Sequence, residues 1–249
     1  MEGVVFGGSM MKRLIWGGLA ATILIVGVLG AWRFGFLSPD KTPVLEDGPY
    51  LRGVDVAHYQ GRIDWEELAD HDISFAFIKA TEGGDWVDPK FRDNWIGAKR
   101  AGLPRGAYHF FTLCRDAGEQ AAHFLETVGD MSGALLPVLD AEHLGPCKES
   151  AVMRDVAGGV LTFLDEVHGA TGTRPVIYTT KTFYEAHLEG KTPGERFWLR
   201  SLINPPRYGP VDWRFWQYSG NGRRRGVSGP IDLNIFNGDE AALEALRVP

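Results

Sequence analysis

Two carboxylates, two positions apart, close the run Leu135-Leu136-Pro137-Val138-Leu139-Asp140-Ala141-Glu142. Its apolar part, bounded by Gly133 and by Gly145-Pro146, is too short for a helix and reads as a buried strand. Successive strand side chains alternate faces, so Asp140 and Glu142 look into one space at the strand's end. Acids held that close cannot both ionise freely, and desolvation by the core beneath them raises at least one pKa. A carboxyl kept protonated at neutral pH in this way can serve as a general acid. The segment alone is equally compatible with a strand running out into a solvated acidic loop, because perturbed acid pairs also occur in structural networks.

Two further acids end strand-like runs: Asp55 in 53–58 and Asp232 in 230–236. Tyr108, Tyr178, Trp216 and Tyr218, with Gln217 between the last two, lie in or beside other such runs. Acids floored by aromatic rings suit a sugar, since pyranose faces stack on rings while carboxyls transfer the proton. Taken singly, each aromatic reads as core. Together they are expected to line a substrate site around Asp55, Asp140, Glu142 and Asp232.

The elements that must position these residues alternate. Asp64 is an N-cap for a helix at 65–69, and Phe75-Ala76-Phe77-Ile78 is a strand. Asp88 caps the next helix, with Pro89 in its first turn and Gly102 and Pro104 beyond its end. A strand at 106–111 leads to a helix opened by Asp116 with Glu119 at capping-box spacing. A helix over 150–168, ended by Gly169 and Gly172, follows the acidic strand; then come a strand at 175–179 and a short helix at 183–188. Five alternations predict parallel strands with helices outside. Past residue 195, strand-like runs at 196–199, 215–218 and 230–236 have no helical pattern between them, and a last helix spans 239–246. The expected class is α/β, an eight-stranded barrel with fewer than eight helices. In such barrels the working residues come from the C-terminal ends of several strands.

The 249 residues suffice for one barrel, and 44% hydrophobic with 23% charged residues excludes wholesale disorder. A net charge of -6 argues against a nucleic-acid partner, and Arg223-Arg224-Arg225 in a Gly-flanked loop reads as a solvated turn. No charge occurs from Leu14 to Trp32, a run long enough to cross a bilayer core. Lys12 and Arg13 before it, against Arg33 after it, put 1–13 in the cytoplasm, 14–32 in the membrane, a linker at 33–50 and a domain at 51–249 outside. The competing reading of 14–32 is a cleaved signal peptide, whose small-x-small site Val28-Leu29-Gly30-Ala31 fits poorly. In that exported setting an even cysteine count without CxxC spacing predicts a Cys114–Cys147 disulfide between two loops at one rim.

Several blocks in order carry a resemblance. They are Gly53-Val54-Asp55-Val56 with Tyr59-Gln60-Gly61 and Ile63-Asp64-Trp65; Phe75 through Gly83; Ala101-Gly102-Leu103 with Gly106-Ala107-Tyr108-His109-Phe110; Pro137 through Glu142; and Trp216-Gln217-Tyr218 with Ile231-Asp232-Leu233-Asn234. Over about residues 51–246 the chain resembles glycoside hydrolase family 25. These are lysozymes that cleave peptidoglycan between N-acetylmuramic acid and N-acetylglucosamine. The resemblance implies an irregular, flattened TIM-like barrel and no cofactor or metal. It implies Glu142 as general acid and Asp140 as the group that orients the substrate's acetamido or stabilises charge, with Asp55 and Asp232 in the same cleft. Ala57 stands where the family often has Ser, and Arg200 where a small residue is usual. An Arg there could shift acid pKa values or contact an anionic stem. The expected partners are peptidoglycan strands and, through the N-terminal helix, the membrane; the chain is expected to act as a monomer on the extracytoplasmic side. Two other classes compete: a catalytically weak or silent glycan-binding wall protein, and a metal-dependent barrel hydrolase using His58, His109, Asp140 and His143.

Overall fold

Eight strands close into a barrel because the first is bonded to the second as well as to the last. They are β1 (Tyr50–Val56), β2 (Phe75–Glu82), β4 (Arg105–Phe110), β5 (Val138–Ala141), β6 (Val176–Thr180), β7 (Phe197–Arg200), β8 (Phe215–Gly222) and β9 (Ile231–Asn237). The two-residue β3 (Trp86–Val87) forms a hairpin on the end of β2. The computed structural model describes residues 49–249 except 144, 146, 148–151, 203 and 211, so the segments read as cytoplasmic tail and membrane helix, and nearly all of the linker, lie outside the described residues. Among the described residues no helix is long and apolar enough to cross a membrane.

Apart from the β3 hairpin, neighbours from β1 through β8 run parallel, whereas β9 runs antiparallel to both β8 and β1. The reason is the connection. Parallel neighbours need a long crossover, and the helix-free link between β8 and β9 can make only a hairpin-like return.

The helices are α1 (Trp65–Ala69), α2 (Phe91–Arg100), α3 (Ala117–Val128), α4 (Val156–Thr171), α5 (Lys181–Phe183), which runs into a π-turn at Tyr184–Leu188, and α6 (Glu240–Glu244). Asp64 and Asp116 accept N-cap bonds as their positions predict, and Asp239, expected as the first residue of the last helix, is its N-cap. Several details differ from the sequence expectation. The helix expected at 150–168 begins at Val156, where Asp155 accepts from the Gly158 N–H, and ends at Gly172 in the left-handed region. Asp88 accepts from the Lys90 N–H at 2.8 Å but spends its other oxygen on His58, so α2 starts only at Phe91. Glu119 pairs with Arg115 at 2.8 Å instead of closing a capping box.

The core has two layers. Phe75, Phe77, Trp198, Phe215 and Phe236 fill the barrel interior with Val138 and Val176, while alternate residues such as Ile78, Leu139, Ile177 and Leu199 meet the helices outside. Gly53 and Gly106 are the small residues that admit the interior rings: an added Cβ would lie 2.3 Å from Phe75 and 2.5 Å from Phe77. This aromatic plug closes the barrel below its C-terminal mouth and gives the mouth a low-dielectric floor. Cys114 and Cys147 are bonded, with Cα atoms 5.6 Å apart.

Candidate active site

The mouth opens into a cleft of about 780 Å³. Asp55 enters it from β1, Asp140 from the last turn of β5 and Glu142 from just beyond. Ala141 between them faces the helices, so the period-two reading of this pair holds. Asp232 reaches the same cleft from the opposite end of its strand. Because β9 is antiparallel, its N-terminal end lies at the mouth, and Asp232 pairs in register with Asp55. The expectation that every site residue sits at a C-terminal strand end is corrected at this position.

Asp55 is held from below. Its Oδ1 accepts from Gln217 Nε2 at 3.0 Å and from Asn234 Nδ2 at 2.7 Å. Each clamp is itself fixed: the Tyr178 hydroxyl donates to Gln217 Oε1 at 2.9 Å, and Trp198 Nε1 donates to Asn234 Oδ1 at 3.0 Å. Satisfied buried networks of this kind set side-chain geometry tightly. By contrast, the buried Oδ1 of Asp140 has no hydrogen-bond partner among the described residues.

Burial dominates the electrostatics. It raises Asp55 to about 6, against the amide donors and Arg200, and raises Asp232 to about 8, helped by Asp55 and opposed by Arg200. Burial and then the charge of Glu142 push Asp140 well above the carboxylate range, with Lys79 opposing. Burial also raises Glu142, against Arg200 and Lys79. Burial thus raises all four acids in one desolvated space, and unequally, the condition under which one can donate a proton and another remain a base.

Tyr108 and Tyr178 line the cleft as expected, and burial pushes both hydroxyls up. Trp216 and Tyr218 do not reach it. Gln217 faces inward, so its neighbours in an extended strand face outward: Trp216 packs among the buried residues beneath the helices and donates from Nε1 to the Ser201 carbonyl at 2.6 Å, and the Tyr218 ring lies 6.0 Å from it. Their expected role as substrate contacts is corrected to packing. The metal alternative loses convergence too: His109 is fully buried against Phe163 and bonded to Thr81 and Gln120, and His58 is turned to Asp88. Burial lowers His109 to about 3.

Sequence reasoning missed Lys79, Trp198 and Asn234 as site residues. Each stands two places from an inward residue on its own strand, Phe77, Arg200 and Asp232 respectively, so strand alternation was the available signal. Lys79 pairs with Glu82 at 2.7 Å and lies over Phe110, 4.7 Å from the ring centre. Arg200, at the end of β7, lines the cleft and bears electrostatically on Asp55, Glu142 and Asp232.

Comparison with known proteins follows the same outline. The family model described as Glycosyl hydrolases family 25 matches residues 54–227. The chain is 38% identical over 211 residues to Lysozyme M1 of Streptomyces globisporus, covering 79% of this chain and 71% of that protein. It is 39% identical over 201 residues to Uncharacterized protein YegX of Escherichia coli (strain K12), covering 78% and 72%. The crystal structure of the bacterial lysozyme from Streptomyces coelicolor superposes with a TM-score of 0.75 at 34% identity, covering 81% of this chain and 98% of that one.

Proposed function

The chain belongs to glycosyl hydrolases family 25, and from that premise we propose that it cleaves peptidoglycan as an N-acetylmuramidase, with Glu142 as the general acid. One observation carries the assignment of residues. Asp55, Asp140, Glu142 and Asp232 share a single sugar-sized cleft whose burial raises every one of these carboxyls above its ordinary pKa. Glu142, the acid beyond the strand's end, gives its proton to the glycosidic oxygen as the bond to the anomeric carbon breaks. Positive charge then develops on the sugar ring, and water completes the hydrolysis by forming the new bond to the anomeric carbon and giving up a proton to a carboxylate of the cleft. Asp140 lies alongside, and its unpartnered oxygen is suited to accept the N–H of the substrate's own acetamido group and hold that group toward the anomeric centre. Asp55, clamped by two amides, and Asp232 complete the acidic wall, with Tyr108 and Tyr178 as apolar surface against the sugar.

The test is Glu142→Gln. It keeps the side chain's size and its hydrogen bonding but not its proton, and is expected to lower turnover of purified peptidoglycan about a thousandfold while glycan binding persists. Substantial residual turnover would overturn the assignment. Mass analysis of wild-type products should find the new reducing end on N-acetylmuramic acid.

We further propose that residues 14–32 anchor the enzyme, with the barrel facing the wall on the extracytoplasmic side. The uncharged run and its flanking Lys12 and Arg13 support that reading. Full-length protein is then expected to stay with membranes through alkaline carbonate extraction and to be released when 1–32 are removed; release of the intact chain would refute the anchor.

A further inference from the structure

Beside the acid cleft lies a second depression of about 630 Å³, and the two share Tyr59 and Glu82 at their boundary. One wall is a row of rings. Tyr59 is 79% exposed, its ring centre lies 3.9 Å from that of His58, and His58 lies 5.4 Å from Trp86. An aromatic so exposed adds nothing to the core, yet the turn that carries it is pinned at several points. The His58 N–H donates to Asp88 Oδ2 at 2.9 Å, and its Nδ1 is 2.8 Å from the same oxygen, which belongs to a buried residue. Gln60 accepts from the Ala57 N–H at 2.8 Å and donates to the Pro230 carbonyl at 3.3 Å. At the far end of the row the Lys79 ammonium lies 5.0 Å from the Trp86 ring centre.

The opposite side carries polar side chains, Arg115 with Glu119 beside it, which close over Gly84. A Cβ on Gly84 would lie 2.4 Å from Glu119 Oε1 and 2.7 Å from Arg115 Nη2, and Gly83 holds φ at +57° in the left-handed region. A ring face on one side and hydrogen-bonding groups on the other make a seat for a ring with one apolar face and polar edges. That is a description of a pyranose, and the continuity of the two depressions supplies the path by which it arrives.

We infer that this depression is a distal subsite that seats a further sugar of the same glycan strand, beyond those flanking the scissile bond, with Tyr59 as its stacking face. The inference rests on the muramidase reading above and adds to it a preference for long strands. A strand anchored at both places is held more tightly without any change in the chemistry at the acids, so the subsite acts mainly on KM.

The experiment compares kcat/KM on stem-free glycan tetrasaccharide and octasaccharide for wild type, Tyr59→Ala and Tyr59→Trp. With its ring exposed, Tyr59 can be replaced without disturbing the fold. Wild type should favour the octasaccharide. In Tyr59→Ala the octasaccharide-to-tetrasaccharide ratio should fall about tenfold, mostly through KM, the loss of one well-buried ring face. Tyr59→Trp should keep it. A ratio unchanged in Tyr59→Ala overturns the subsite, as does a length preference that appears only on glycans still carrying peptide stems, which would make the occupant a peptide. Wild-type protein that cleaves neither oligomer overturns the muramidase reading and the subsite with it, whereas cleavage with an unchanged ratio overturns the subsite alone.

Discussion

Asp232 binds its proton far more tightly in the folded protein than in the unfolded chain, because burial and the nearby Asp55 raise it from 3.8 to about 8. The stability tied to that proton is complete below about pH 4 and is lost as the pH climbs toward 8, where a buried charge must be carried. Asp232→Asn removes the titration. Its melting temperature relative to wild type should therefore be about 5 °C more favourable at pH 8.5 than at pH 4.5; equal differences at both pH values would refute the raised pKa. Arg200 works in the opposite sense on Asp55, Glu142 and Asp232, holding each lower than burial alone would. Removing it by Arg200→Ala should move the alkaline fall of the pH–activity profile to higher pH, since the proton-donating acid then keeps its proton longer. An unmoved alkaline limb would show that the guanidinium does not act on these acids. At this scale the chemistry was largely legible. The acids announced themselves by ending apolar runs, whereas Trp216 and Tyr218 misled because aromatic type says nothing about which face of a strand a residue takes. The face was fixed by Gln217, whose amide had partners only inside.

The elements supply what single residues cannot. β9 returns antiparallel and so brings Asn234 as well as Asp232 to the floor of the mouth. Strand direction is set by the connection, and a strand's own pattern of apolar residues reads the same in either direction. Strand and helix order, the N-caps Asp64 and Asp116 and the helix-poor last side were therefore readable, while the reversal of β9 and the hairpin strand β3 were not. Asp88 misled for a related reason: it was read as a local cap, but its carboxylate also serves His58, thirty positions away, and long-range partners leave no local spacing. Asn234 is the joint most exposed to test. It donates to Asp55 and accepts from Trp198, so Asn234→Ala strands an indole N–H and removes a donor from a buried carboxylate. The expected cost is about 2 to 4 kcal/mol in urea unfolding, together with reduced activity as Asp55 loses its fixed position. A cost below about 1 kcal/mol would mean that the barrel's shape, and not this network, holds the acid.

Across the whole molecule the disulfide links stability to compartment. Cys114 and Cys147 stand 33 positions apart and enclose α3 and β5, so the cross-link encircles both Asp140 and Glu142. Closing a loop of that length restricts the unfolded chain by about 3 to 4 kcal/mol in the chain-entropy model. The bond persists only in an oxidising space, which agrees with a barrel that works on the wall side of a membrane. The same bond ties down the loop after β5, where Gly145 borders the cleft and Cys114 the neighbouring groove. Thiol labelling of unreduced native protein should find both cysteines blocked, and reduction should lower the melting temperature by about 10 °C. Activity should fall along with stability, since the segment freed by reduction carries the proposed proton donor. Rapid labelling of both thiols without reductant would remove the cross-link from the argument. A full drop in melting temperature with unchanged turnover at low temperature would mean instead that barrel packing alone holds the two acids in register.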